Sequence, residues 1–141
     1  MSRRYITIDE QQIVIDRAAK RCEYCQSLMD YTPQSFAIEH IVPISEGGLT
    51  LLDNLALACG GCNGHKYTKQ SGIDPVTKAT TPLYHPRHLQ WADHFVWSQD
   101  YLSLIGTTAI GRATIETLKL NRTGVVNLRK LLILARLHPP S

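Results

Sequence analysis

The sequence has no long apolar run. Its longest, Leu131–Ala135, falls far short of the roughly 20 residues that cross a bilayer, which excludes a membrane-spanning helix. Met1-Ser-Arg-Arg4 has the charge of a secretory leader, but no apolar stretch of about seven to fifteen residues follows it, so the expected location is cytoplasmic. Net charge is also scarce: 15 Lys and Arg against 12 Asp and Glu leave +3, too little to announce a nucleic-acid partner by bulk charge. Internal repeats and low-complexity tracts are missing, and 43% hydrophobic with 19% charged residues is ordinary globular usage. Disordered, collagen-like and coiled-coil classes are thereby excluded. At 141 residues the chain is one domain, with room for an appendage.

What is present is unevenly distributed. Residues 1–105 carry nine basic and eleven acidic side chains, whereas residues 106–141 carry six basic and one acidic. The four cysteines form two pairs, Cys22-Glu-Tyr-Cys25 and Cys59-Gly-Gly-Cys62, separated by 33 residues. Two Cys-X-X-Cys knuckles supply four thiolates that close tetrahedrally on Zn²⁺. Structural disulfides do not suit a cytoplasmic chain, and a thioredoxin-like dithiol would need a strand before it and a helix after it. The insert between the knuckles exceeds the 15–20 residues of a plain zinc ribbon, so the chemistry is expected there.

Thr7-Ile-Asp-Glu10 reads as a capping box opening an amphipathic helix that carries Ile13, Val14, Arg17, Ala18 and Arg21 to the first knuckle. Phe36–Pro43 is apolar, β-branched and proline-ended, and reads as a strand entering the Ser45-Glu-Gly-Gly48 loop. A second apolar segment, Leu49–Ala58, leads into the second knuckle, and a short polar helix follows Cys62. Residues 71–88, rich in Pro, Thr and Gly, read as loop. His94–Ser98 and Tyr101–Ile105 alternate around Gln99-Asp100 as a β-hairpin. Ala109–Leu120 and Val125–Leu137 read as helices.

Between the knuckles stand Glu39-His40, Asn54 fourteen residues after the histidine, and Asn63 nine residues later. Singly each has a structural explanation: strand carboxylate, buried imidazole, turn residue, knuckle cap. The order Cys-X-X-Cys, Glu39-His-Ile-Val-Pro-Ile-Ser-Glu-Gly-Gly48, Asp53-Asn-Leu55 and Cys59-X-X-Cys62-Asn-X-X-Lys66 resembles the HNH endonuclease family over roughly Cys22 to Lys69. The resemblance implies an α+β fold: a ββα-metal finger braced by the two zinc knuckles, with the C-terminal hairpin and two helices beyond it. It implies His40 as general base, Asn54 as the residue holding the loop and the histidine, and Glu39 with Asn63 as oxygen ligands to Mg²⁺ or Mn²⁺, zinc being structural.

That set suits phosphodiester hydrolysis, which needs a base for water and a counter-charge for the phosphate. Two departures stand out: Glu39 occupies a position where Asp is commoner, and Asn63 one where the family name places a second histidine. Because neighbouring strand residues face opposite ways, Glu39 and His40 are expected to need a bulge or strand end near Pro43. Lys66, on the Asn63 side of a helix, is expected to hold a phosphate. Lys69 and His65 join it as nucleic-acid contacts; a helix turns His65 about 200° from Asn63, which makes it a poor metal ligand. The basic C-terminal residues Arg112, Arg122, Arg129 and Lys130 read either as a solvated face or as a phosphate-contacting surface. Leu128, Leu131, Leu132 and Ala135 have the spacing of a core or partner-facing stripe, and Trp91 and Trp97 read as core.

The expected organisation is a nuclease core over residues 1–70, a loop over 71–88 and the C-terminal hairpin and helices over 89–141. The expected activity is metal-dependent cleavage of DNA, duplex before single strands. The alternative is a non-catalytic zinc-knuckle module that binds nucleic acid or protein, and oligomeric state is left open.

Overall fold

The computed structural model describes residues 4–141; Met1–Arg3, with one of the two arginines of the basic start, lie outside the described residues. The chain opens with the helix α1 (Ile8–Arg17), and its start is the capping box expected. Thr7 Oγ1 accepts from the Glu10 amide at 3.1 Å, and the Glu10 carboxylate accepts from the Thr7 amide at 3.0 Å. The helix stops at Arg17 rather than running on to the knuckle, because Ala19 and Lys20 both take left-handed backbone conformations (φ 52° and 59°) that turn the chain.

Next come two antiparallel strands, β1 (Phe36–His40) and β2 (Leu55–Cys59), and the helix α2 (Gly60–Lys66). Their register runs unbroken from Phe36↔Cys59 to His40↔Leu55. Of the two devices expected near Pro43 the bulge is missing, while a strand end is present and falls at His40 itself. One face of the hairpin packs Leu55 and Leu57 against Val14 of α1; the other carries Glu39 toward α2. β2 is buried throughout, so this ββα unit is sandwiched rather than lying on the surface.

Residues 71–88 contain more order than their composition predicts. Strands β3 (Ser71–Ile73) and β4 (Thr80–Pro82) pair as a hairpin. Its turn is organised by Asp74, which accepts from the Val76 amide at 3.1 Å and the Thr77 hydroxyl at 2.8 Å. Proline and threonine content marks the turn but is blind to such a buried carboxylate. The later hairpin is β5 (Phe95–Trp97) with β6 (Leu104–Gly106), in register Phe95↔Gly106. Its connection is longer than the turn at Gln99-Asp100 expected, since Asp100 caps Ser98 and the Leu102 amide within an irregular loop. Helices α3 (Ala109–Leu118) and α4 (Thr123–Leu134) complete the chain. Lys119, at φ 54°, ends α3.

The expected α+β class is present, with four α-helices and three two-stranded antiparallel sheets among the described residues. One apolar cluster joins the knuckles to the C-terminal part: Cys22, Tyr24 and Ala58 pack with Leu83, Phe95, Leu118 and Val125. Trp91 and Trp97 lie partly buried against it. Of the leucine stripe on α4 only Leu132 is buried, while Leu131 is 64% exposed. No helix among the described residues is long and apolar enough to cross a membrane.

Arg129 ties these parts together from inside. It is 2% exposed and donates to the Leu102 carbonyl (2.9 Å), the Leu120 carbonyl (2.9 Å), the Cys25 carbonyl (3.2 Å) and Asn121 Oδ1 (3.0 Å). Its guanidinium also sits 5.0 Å from the Trp97 ring centre. Burial pulls its pKa down to about 10, still charged at neutral pH. Replacing it with methionine strands buried acceptors at about 1–3 kcal/mol each. Arg129→Met is accordingly expected to lower unfolding stability by about 3 kcal/mol or more, read as a shifted urea midpoint; an unchanged midpoint would contradict this role.

Candidate active site and metal centre

The four cysteine sulfurs all lie within 4.8 Å of one another, each from a buried residue. The β1–β2 hairpin makes this possible, since its return places Cys59 beside Phe36 and next to the first knuckle. The Cys25 and Cys59 sulfurs are 3.7 Å apart, close to the ~3.8 Å edge of a tetrahedron with ~2.3 Å Zn–S bonds. Cys59 Sγ also caps α2, accepting from the Cys62 amide at 3.5 Å. Burial pushes the Cys22 thiol well up, whereas the hydrogen bond from Cys22 holds Cys59 well below its ordinary value. A dication satisfies all four sulfurs at once, and the donor set fits structural zinc.

Four thiolates around Zn²⁺ leave a local charge of about −2. Arg122 answers it directly: its guanidinium donates to Cys59 Sγ at 3.3 Å and to Cys62 Sγ at 3.5 Å. Burial opposes the charge on Arg122, but the Cys62 and Cys59 sulfurs outweigh burial and raise its pKa. Gly61 makes room for it. A Cβ there would lie 2.4 Å from Arg122 Nη2, so the glycine inside the second knuckle serves the approach of a residue from α4's start. Arg122→Met and Gly61→Ala, which displaces the same guanidinium, are each expected to weaken zinc retention by ~10–100-fold. Competition with a chromogenic chelator measures this; wild-type affinity in both variants would refute it.

Across the hairpin, Glu39 is 6% exposed. Its Oε1 lies 3.0 Å from Lys66 Nζ, and its Oε2 accepts a hydrogen bond from the Tyr24 hydroxyl. Lys66 is itself 1% exposed and donates to the Ile41 carbonyl at 2.8 Å. Burial raises the Glu39 pKa, with Lys66 and Tyr24 working against that shift. His40, on the opposite face, is half-buried, and its Nε2 is 2.9 Å from the Thr50 hydroxyl. It borders a cavity of about 610 Å³ with Arg4, Tyr5, Ile6 and Gln11.

Asn54 braces the loop between them. Its Oδ1 accepts from the Val42 amide at 2.9 Å, and its Nδ2 donates to the carbonyls of Val42 (3.0 Å) and Leu49 (2.8 Å). The Ile41 amide adds a bond to the Asn54 carbonyl at 2.8 Å. The segment leaving His40 is thus stitched to the start of β2. Asn63 is half-buried on α2.

Residues 22–69 match the family model described as HNH endonuclease. The match covers about a third of the chain, and that segment is similar to HNH endonucleases. The matched residues coincide with those that carry the resemblance in the sequence, and the family consists of nucleases, which act on nucleic acids. A curated relative, the Septu protein PtuB of Bacillus thuringiensis, is 25% identical over 113 residues, covering 77% of this chain and 40% of the relative. The chain thus spans about two fifths of the length of that relative. No solved structure shows significant similarity.

Within the matched segment, the pair expected to hold Mg²⁺ or Mn²⁺ does not fit that ion as arranged. Both Glu39 oxygens are engaged, one by an ammonium, so no open carboxylate oxygen faces Asn63. The expected phosphate contacts also change. Lys66 is buried beside Glu39, Arg122 is held by the knuckle sulfurs, and Arg129 lies inside the fold. Arg112 is clamped to Asp74, with Nε and Nη2 each 2.9 Å from the carboxylate. Lys66 and Arg129 are buried and Arg112 and Arg122 half-buried, each meeting an acceptor that folding brings to it from a distant segment. His65, Lys69 and Lys130 remain exposed, Lys69 donating to the His65 carbonyl at 3.1 Å.

Sequence reasoning missed Tyr24, Thr50 and Gly61. The glycine and the tyrosine stand between paired cysteines, a place where every side chain must face the metal cluster, the core or solvent, and that much was a usable signal. Nothing local marks Thr50.

Proposed function

We propose that the chain is an endonuclease that hydrolyses phosphodiester bonds of DNA, leaving 5′-phosphate and 3′-hydroxyl ends, with His40 as the general base. The observation that carries this reading is the pairing of a half-buried imidazole with the Asn54 brace immediately behind it. Catalytic proton transfer needs an imidazole held in one orientation near a space for substrate. Thr50 and Asn54 support the first requirement, and the cavity beside Arg4 and Gln11 supports the second.

On this reading a phosphate enters on the His40 face, and a water between imidazole and phosphorus attacks in line with the departing 3′ oxygen. His40 accepts the proton of that water as the new P–O bond forms. Asn54 touches no reacting atom; it is a positioning residue that keeps the loop after His40 from moving. His65, Lys69 and Lys130 supply exposed donors for backbone phosphates, and the reading takes duplex DNA as substrate before single strands.

One observation favours the second reading, a zinc-knuckle module that binds nucleic acid or protein without cutting it: Glu39 is neutralised inside the domain. The two separate in a plasmid assay. Zinc-loaded protein with added Mg²⁺ or Mn²⁺ is expected to convert supercoiled DNA to the nicked form. Supercoiled DNA left intact across both metals and a range of salt would hand the case to the binding module.

A further inference from the structure

We propose that Arg4 is a positioning residue for His40, acting through Thr50, so that the segment before α1 holds in place a base whose other supports lie within residues 22–69. The inference rests on the nuclease reading of His40 and adds to it a residue from outside the matched span.

The Thr50 hydroxyl stands 2.9 Å from His40 Nε2, yet Thr50 belongs to no helix or strand that would fix its direction. Two side chains do so instead. Asn54 Nδ2 donates to the Leu49 carbonyl at 2.8 Å, and the Arg4 guanidinium donates to the next carbonyl, that of Thr50. Peptide units are planar, so holding the carbonyl on each side of the Thr50 Cα fixes both of its soft dihedrals. A β-branched side chain is also stiff at χ1, so the direction of the hydroxyl follows from the backbone. With the Leu49 bond alone, the peptide after Thr50 is free to turn and carries the hydroxyl off the imidazole.

Arg4 is itself held. Glu10 accepts from its Nη1 and Nη2, each at 2.8 Å, the paired geometry that a planar guanidinium makes with a carboxylate. Glu10 is fixed in turn by the capping box at the start of α1. The hydrogen bond from Arg4 pulls the Glu10 pKa down to about 2, so the pair stays charged wherever a neutral imidazole can serve as base. The Arg4 side chain is 47% exposed, at the edge of the His40 cavity. Ion pairs of that exposure contribute little to global stability, and the effect of Arg4 is local to His40.

Steady-state plasmid nicking by the full zinc-loaded chain with added Mg²⁺ separates positioning from substrate contact. Arg4→Met is expected to lower kcat by ~10–100-fold with KM within about twofold of wild type. Thr50→Val should do the same, and Thr50→Ser, which restores the hydroxyl, should recover most of the rate. Glu10→Gln keeps a capping box but loses the charge that faces Arg4, and should fall between. A raised KM at unchanged kcat in Arg4→Met would make Arg4 a phosphate contact and overturn the proposal, as would wild-type values for both. A second readout needs no DNA. Nitrogen NMR of the neutral His40 ring is expected to show one dominant tautomer in the wild type and a mixture in Arg4→Met and Thr50→Val. An unchanged tautomer ratio in folded Arg4→Met overturns the proposal and spares the nuclease reading if plasmid is still cut. A shifted ratio in a chain that never nicks keeps Arg4 as the residue that orients His40 and sinks the nuclease reading instead.

Discussion

With its zinc stripped by a strong chelator, the protein is expected to lose its cooperative melting transition. Structural zinc in small Cys-rich domains contributes roughly 10–16 kcal/mol of apparent binding energy, while whole domains are stable by only about 5–15 kcal/mol. The cluster is also central. Cys22, Cys25, Cys59 and Cys62 belong to the same buried core as Phe95, Leu118 and Val125. Without the ion, four sulfurs within 4.8 Å lose their common partner, and Arg122 keeps a half-buried charge with less to answer it. Because Arg122 and Arg129 reach the knuckles from α4 and its approach, disruption is expected to spread to the C-terminal helices. Circular dichroism melts with parallel zinc quantification decide this, and Cys59→Ser should behave like the chelated protein. A cooperative transition that persists after verified zinc loss would show that the apolar core suffices by itself.

The second large effect concerns His40. A general base contributes about 10²–10⁴-fold to a hydrolytic rate, so His40→Ala is expected to slow plasmid nicking by that factor at matched zinc content. The variant should keep wild-type melting behaviour, because the imidazole is only half-buried and its Thr50 contact lies at the edge of the hairpin. A mutant that nicks as fast as its parent would remove His40 from the chemistry while leaving the similarity to HNH endonucleases in place. A mutant that also unfolds would mark His40 as a structural residue of the α1 face.

Much of this was legible in the sequence because it rests on short-range spacing. The capping box at Thr7 and Glu10 is a three-residue pattern and appears as expected. The paired cysteines and the Glu39-His40, Asn54 and Asn63 order lie within the span that matches the HNH family. Element ends fared less well. α1 stops early because two consecutive residues adopt left-handed backbone, and the 71–82 hairpin depends on one buried aspartate. Composition averages over such single-residue devices.

The basic residues show the limit most clearly. Read along the chain, residues 106–141 carry a surplus that suits a phosphate surface. In the fold Arg112 faces Asp74, Arg122 faces the knuckle sulfurs, and Arg129 faces carbonyls from Cys25, Leu102 and Leu120. A charge count does not distinguish a cation meeting solvent from one meeting a buried acceptor.

The sequence by itself determined the cysteine frame, the HNH order and the α+β pattern, since these follow from residue type and local spacing along a covalent chain. Only the tertiary structure decided which charges remain outside, that Glu39 and His40 face opposite sides of an unbulged hairpin, and that Lys66 sits beside the Glu39 carboxylate. Those outcomes depend on partners dozens of residues apart, brought together by burial of a shared core, and an ionised group taken from water is retained only where such a partner meets it.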